Sequence, residues 1–176
     1  MLRLLPRRAF NRLLHFLARF LPGATSLRPF LHRLRGVEVA KGVFIGDDVY
    51  LDNEYPEAIA LREGALIGLR STIVAHTRGP GRVVVGKNAV IGAGTLITCV
   101  GGKVLEIGEG AVIGAGSVVA NSIPPFTFCG SPRVRALATI TVPFALDVSY
   151  HDFLRGLRPL RPRGAPPPAP PPTPEP

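Results

Sequence analysis

Branched aliphatic residues return every six positions through the middle of the chain, in four triplets: Val39, Ile45 and Leu51; Leu61, Ile67 and Ile73; Val85, Ile91 and Ile97; Ile107, Ile113 and Val119. A period of six fits neither an α-helix at 3.6 residues per turn nor a flat strand with its period of two. It fits a solenoid of triangular cross-section, in which each six-residue step supplies one short strand and one corner. Glycine follows the aliphatic in Ile45-Gly46, Ile67-Gly68, Val85-Gly86, Ile91-Gly92, Ile107-Gly108 and Ile113-Gly114, where a tight corner is expected to need its conformational freedom. Four positions after the aliphatic stands a small or β-branched residue, as at Val49, Ala65, Ser71, Ala89, Thr95, Ala111 and Ser117. Such residues can point inward without crowding the axis. The expected fold is all-β, a parallel β-helix of about four to five coils over residues 37–136. Its core is a set of stacked ladders such as Ile45/Ile67/Ile91/Ile113 and Leu51/Ile73/Ile97/Val119.

Successive coils begin 22, 24 and 22 residues apart rather than eighteen (Val39, Leu61, Val85, Ile107). The additional residues all follow the third aliphatic. They include Asp52, Asn53, Glu54 and Tyr55 in the first coil, His76, Thr77 and Arg78 in the second, and Cys99, Gly101 and Gly102 in the third. Neighbouring strands lie about 4.8 Å apart, so these insertions pile up on one edge, where repeat proteins commonly build a binding surface. His76 is the one histidine within the repeat; His15 and His32 precede it and His151 follows. Imidazole exchanges its proton near neutral pH and can take one from an attacking hydroxyl or amine and return it to a leaving group. Cys99 reads as a small buried residue rather than a nucleophile. Two cysteines imply neither a disulfide framework nor a metal cluster.

Three kinds of stretch carry a family resemblance: Ile67-Gly68 through Ile73-Val74-Ala75-His76; Ile91-Gly92-Ala93-Gly94 with Ile113-Gly114-Ala115-Gly116-Ser117-Val118-Val119; and Cys129-Gly130-Ser131-Pro132-Arg133 after the Ile123-Pro124-Pro125 turn. Together they resemble the hexapeptide-repeat acyltransferases, left-handed parallel β-helix enzymes that use acyl-CoA and include small O-acetyltransferases acting on sugars and antibiotics. The chain departs from that pattern at three points. No Trp precedes Ile91-Gly92, Arg133 stands where Ala is usual, and the stretch after His76 is shorter than the excursion that covers the acceptor in many relatives.

The resemblance implies O-acetyl transfer from acetyl-CoA, or another acyl-CoA, to a hydroxyl of a sugar or other small or glycan acceptor. His76 would act as general base and then protonate the departing thiolate, with no covalent enzyme intermediate. Asp52 or Glu54 would orient His76 or bind acceptor hydroxyls, together with Asn53 and Tyr55. Ala93, Gly94, Ala115 and Ser117 would line the thioester, and Arg133 and Arg135 would meet the CoA phosphates, which guanidinium groups suit. A homotrimer is implied, with the site between adjacent solenoids and no metal. The carbonic-anhydrase branch of the fold needs three histidines, and one solenoid histidine is too few. The bifunctional nucleotidyltransferases need a second domain that 176 residues do not accommodate.

The net charge of +9 divides unevenly. Residues 37–130 carry seven Lys/Arg against nine Asp/Glu, whereas the first forty-one carry nine basic side chains against one acid. The basic charge therefore lies in the flanks, and nucleic acid is not an expected partner. Arg8, Arg12, His15 and Arg19 recur at helical spacing opposite Leu2, Leu5, Phe10, Leu13, Phe16, Leu17, Phe20 and Leu21. That is a basic amphipathic helix, ended by Pro22-Gly23. Arginines interrupt its apolar run too often for a spanning helix or a signal-peptide core, so the expected location is cytoplasmic. The helix either lies on an anionic membrane through residues 1–22, peripheral on the inner face, or caps the first coil; one molecule can do both.

The expected organisation is a basic helical segment at 1–36, the solenoid at 37–136, an extension at 137–160 and a tail at 161–176. The extension holds a strand-like Ile140-Thr141-Val142 and a helical Ser149-to-Leu157 stretch. In the tail, nine of the last fifteen residues are Pro, which reads as disordered. The competing function class is a noncatalytic trimeric scaffold that tethers partners or a membrane through the helix and tail.

Overall fold

The computed structural model describes residues 5–131, 138–143 and 147–159. The chain forms two compact units, Met1–Ser131 and Pro132–Pro176. In the first, eight residues or fewer separate each short strand from the next, and three parallel sheets result. One contains β1 (Glu38–Val39), β4 (Ile59–Leu61), β7 (Arg82–Val85) and β10 (Val104–Ile107). The second contains β2 (Phe44–Ile45), β5 (Leu66–Ile67), β8 (Val90–Ile91), β11 (Val112–Ile113) and β13 (Phe128–Cys129), and the third β3 (Tyr50–Leu51), β6 (Thr72–Thr77), β9 (Leu96–Val100) and β12 (Val118–Val119).

The register stacks like on like. Ile45 opposes Ile67, Ile67 opposes Ile91 and Ile91 opposes Ile113, while Leu51, Ile73, Ile97 and Val119 form the second ladder. These side chains and the intervening Val49, Ala65, Ser71, Ala89, Thr95, Ala111 and Ser117 are buried. Each large aliphatic contributes about 1.5–3 kcal/mol by leaving water, so the repeat supplies its own core coil by coil.

The glycines after the aliphatics serve a different purpose from the one expected. None of the six has a positive φ. A Cβ on Gly92 would lie 2.4 Å from the Ala115 nitrogen, and one on Gly68 2.6 Å from the Ala93 nitrogen. Close approach of the next coil demands glycine there. The left-handed bend falls two residues later, at Asp48, Arg70, Gly94 and Gly116 on one corner.

The first coil leaves a free sheet edge, and a helical hairpin closes it. Helix α1 (Leu5–Phe20) and helix α2 (Leu27–Arg35) precede the solenoid, and α2 ends at Gly36 in the left-handed conformation. On β2, the Ile45 N–H donates to the Ala24 carbonyl at 2.8 Å and the Ile45 carbonyl accepts from Arg28 Nη1 at 3.1 Å. On β3, the Leu51 carbonyl accepts from Arg35 Nη2 at 3.1 Å. At the end of β1, Arg33 donates to the Val39 and Ala40 carbonyls, each at 2.8 Å. One α2 arginine thus serves each sheet, and at Ile45 and Leu51 the carbonyls satisfied are buried. Arg28 also pairs with Asp47, and Arg19 of α1 with Asp48.

Of the two roles expected for α1, capping of the first coil is the one seen in the chain itself, and it leaves much of the apolar stripe outside. Leu14, His15 and Ala18 are buried, whereas Phe10, Leu13, Phe16 and Phe20 are exposed. In the second unit, β14 (Ala138–Ile140) and β15 (Leu157–Pro159) pair antiparallel around α3 (Tyr150–Arg155). The Ser149 hydroxyl caps α3 by accepting the Asp152 N–H at 3.1 Å. The strand lies two residues earlier than expected, and the helix is shorter at both ends than the Ser149-to-Leu157 stretch. The 161–176 tail lies outside the described residues.

Candidate functional site

Immediately after β3, the chain turns around the side chain of Asp52, which is fully buried. Its Oδ1 accepts the N–H groups of Glu54 (2.9 Å) and Tyr55 (3.3 Å), a turn that aspartate favours. Its Oδ2 accepts the Ala75 N–H at 2.9 Å and faces His76 Nδ1 at 2.5 Å. Burial alone would raise the Asp52 pKa. The hydrogen bond from His76, followed by those from Ala75, Glu54 and Tyr55, outweighs it and holds the carboxyl below its ordinary value. The group is therefore a carboxylate at neutral pH. It secures a proton on Nδ1 and leaves Nε2 of the neutral ring with a free lone pair.

His76 was expected in an insertion loop, but it stands on a strand. β6 continues past the core step to Thr77, with Ile73 and Ala75 inward and Thr72, Val74 and His76 on the outer face. Pairing with β9 is irregular between Val74 and Thr77. At that irregularity the Ala75 N–H turns to Asp52, the kind of local re-aiming that bulges produce. The His76 side chain is 35% exposed, and the Tyr55 ring lies 5.6 Å from it, centroid to centroid.

Beneath this pair lies a buried basic cluster that sequence reasoning missed. Arg35 Nη2 donates to the Asp52 carbonyl and to Asn53 Oδ1, both at 2.8 Å, and Arg35 Nη1 lies 3.0 Å from His32 Nδ1. His15 packs edge-on against Tyr50, with centroids 4.8 Å apart. Burial, and then the Arg35 charge, pull His15 down to about 4 and His32 to about 3; burial also lowers Arg35 to about 10. His15 Nε2, His32 Nε2 and Arg35 Nε are buried without hydrogen-bond partners. The available signal was the spacing of Arg28, His32 and Arg35, which places all three on one face of α2.

The remaining expected site residues separate into groups. Asn53 is drawn down to Arg35, so its side chain anchors the turn rather than meeting an acceptor. Glu54 is exposed and pairs with Arg12 at 3.4 Å. Ala93 and Gly94 lie on the corner between β8 and β9, and Ala115 on the corresponding corner between β11 and β12. That corner is at the far end of the third sheet from His76, roughly 15 Å along the strand at 3.3 Å per residue. One chain does not bring these residues to the histidine. Ser117 is buried and donates its hydroxyl to the Gly114 carbonyl at 2.6 Å; it belongs to the core rather than to a cosubstrate surface. Arg133 and Arg135 lie outside the described residues.

Cys99 is buried beside the Lys103 carbonyl, with Sγ 3.3 Å from the oxygen. A groove of about 320 Å³ opens next to it, lined by residues that include Val100, Lys103, Ala120, Asn121 and Ser122. Val100 pairs with Thr77, so the groove borders the edge that carries His76. Among the described residues, no group of three or more His, Cys, Asp or Glu is placed to hold a metal ion.

No family model matches the chain, and no curated protein matches it. Among solved structures, it is similar to a maltose O-acetyltransferase from Clostridium difficile 630, at 22% identity and a TM-score of 0.48, over 73% of this chain and 83% of that one. It is also similar to serine acetyltransferase isoform 3 from Entamoeba histolytica, in complex with cysteine, at 20% identity and a TM-score of 0.34, over 74% of this chain and 48% of that one.

Proposed function

We propose that this chain is a CoA-dependent acyltransferase that moves an acetyl group from acetyl-CoA to a hydroxyl of a sugar or other small or glycan acceptor. The observation that carries the reading is the Asp52–His76 pair, a buried carboxylate aimed at Nδ1 of a partly exposed imidazole. Nε2 takes the proton of the acceptor hydroxyl as its oxygen attacks the thioester carbonyl. When the tetrahedral adduct collapses, the C–O bond is kept and the C–S bond breaks, and Nε2–H delivers the same proton to the departing sulfur. Asp52 stabilises the imidazolium formed between those events, and no group on the protein becomes acylated.

The working form in this reading is a homotrimer. It is supported by the outer face of the second sheet, where Phe44, Leu66, Val90, Val112 and Phe128 form an apolar ladder in register. By contrast, the outer face of the first sheet carries the Glu38–Arg62 and Glu38–Arg82 ion pairs. In a trimer, Ala93, Gly94 and Ala115 of one copy would line the thioester opposite His76 of the next. Arg133 and Arg135 would meet the CoA phosphates, and the groove beside Val100 offers room for the pantetheine arm. Tyr55, next to the imidazole, would flank the acceptor.

The test is thiol release from acetyl-CoA in the presence of a panel of sugars. Wild-type protein is expected to turn over, and His76→Ala to lose about 10²–10⁴ in rate. Equal turnover by the variant would overturn the assignment.

A further inference from the structure

The hairpin of α1 and α2 buries histidine and arginine side chains together with a small apolar cluster, and presents a set of larger apolar side chains outward. Leu14, His15, Ala18, Leu31, His32 and Arg35 are buried, while Phe10, Leu13, Phe16, Phe20, Phe30 and Leu34 are 51–61% exposed. The Phe16 and Phe20 rings pack together with centroids 5.1 Å apart. A run of large apolar groups across two packed helices is more than the scattered exposure normal for a surface.

What surrounds this patch selects its occupant. Residues 1–36 contain eight Arg and no Asp or Glu. Arg12 and Arg33 are exposed, and the Arg19 guanidinium lies 5.5 Å from the Phe20 centroid. The nearest acids, Asp47, Asp48 and Glu54, belong to the solenoid and are paired with Arg28, Arg19 and Arg12. A second copy of the chain would have to answer the basic rim with acids, and those beside the hairpin are already engaged. Among the described residues, no helix is long and apolar enough to cross a membrane. Phenylalanine and leucine on one face with arginine around them is the makeup of a helix that lies in the plane of a lipid interface.

We propose that this face of the α1–α2 hairpin docks onto a bilayer surface bearing anionic headgroups, with the six exposed side chains entering the acyl boundary and the exposed Arg12 and Arg33 meeting the headgroups. Arg12, one turn from Phe16, contacts Glu54, and Arg35 of the same hairpin holds Asp52. The docking element is thus also the support of the turn that orients His76.

Co-sedimentation of the full chain with vesicles tests this without any acyl-CoA, so its failure and the failure of the acetyl-transfer reading are distinguishable. Vesicles of phosphatidylcholine with about one third phosphatidylglycerol should carry the protein down at least tenfold more strongly than phosphatidylcholine alone, with the difference shrinking as salt rises. The Phe16→Ser/Phe20→Ser variant, changed only at exposed positions, should lose about tenfold or more in partitioning while keeping its circular dichroism spectrum. Phe126→Ser, at an exposed corner of the solenoid, should bind as the wild type does. Folded wild-type protein that stays in the supernatant, or a double variant that pellets equally well, overturns the proposal. So does equal binding to neutral vesicles, or a change in assembly mass of the double variant in lipid-free solution, which would make the face a contact between copies.

Discussion

Asp52 lies against four donors and is wholly shielded from solvent. Asp52→Asn preserves the size of the side chain but replaces one anionic acceptor with an amide, which weakens the hold on Nδ1–H and removes the stabilising charge. Turnover should fall about 10²–10⁴-fold with the fold retained, as read from steady-state rates alongside a circular dichroism spectrum. His76 was legible because it is the single histidine among the repeats. The choice between Asp52 and Glu54 was not, because both follow the same aliphatic and spacing alone does not say which side chain turns under the chain. Glycine offers a second contrast at this scale. Gly92→Ala forces a Cβ against the backbone of the next coil, and Gly94→Ala only strains a left-handed residue with open space around it. The first should cost about 1–3 kcal/mol or more and the second about 1 kcal/mol, a ranking that urea unfolding of the two variants checks.

At the scale of elements, the helical hairpin shows why an amphipathic pattern does not by itself name the buried face. Such a stripe ordinarily packs inward. Here the partner surface is a sheet edge that needs donors, so α2 turns Arg28, Arg33 and Arg35 toward it and the aromatic side of α1 is left outside. Two histidines are carried into the interface as neutral rings, which ties the cap to pH. Each titrates at 6.5 when unfolded and at about 4 (His15) or about 3 (His32) when buried. A lowered folded value means that the unfolded chain binds more protons between those limits. Their contribution is complete above pH 6.5 and declines as pH falls toward 4 and then 3. The thermal midpoint should drop over that range, and the slope should be shallower in a His15→Asn/His32→Gln variant.

At the scale of the whole molecule, the architecture was legible because the six-residue period acts on every coil at once, and no local propensity competes with a core that repeats. The expectation of a trimer came only from the family resemblance, since one sequence does not show which outer ladder would meet a neighbour. Leu66 stands between Phe44 and Val90 in the apolar ladder on the second sheet and is 36% exposed. Under the proposed trimer, in which each site draws on two copies, Leu66→Asp should leave the solenoid intact, give single chains in light scattering and abolish the proposed acetyl transfer with them.

The arginine cap also limits how far such a molecule can extend. A parallel solenoid has no intrinsic end: its terminal backbone groups match those of any further coil, including one belonging to another chain. By filling the Val39, Ile45 and Leu51 carbonyls from within, the hairpin removes the template for head-to-tail growth, a heterologous association that does not close and would build filaments.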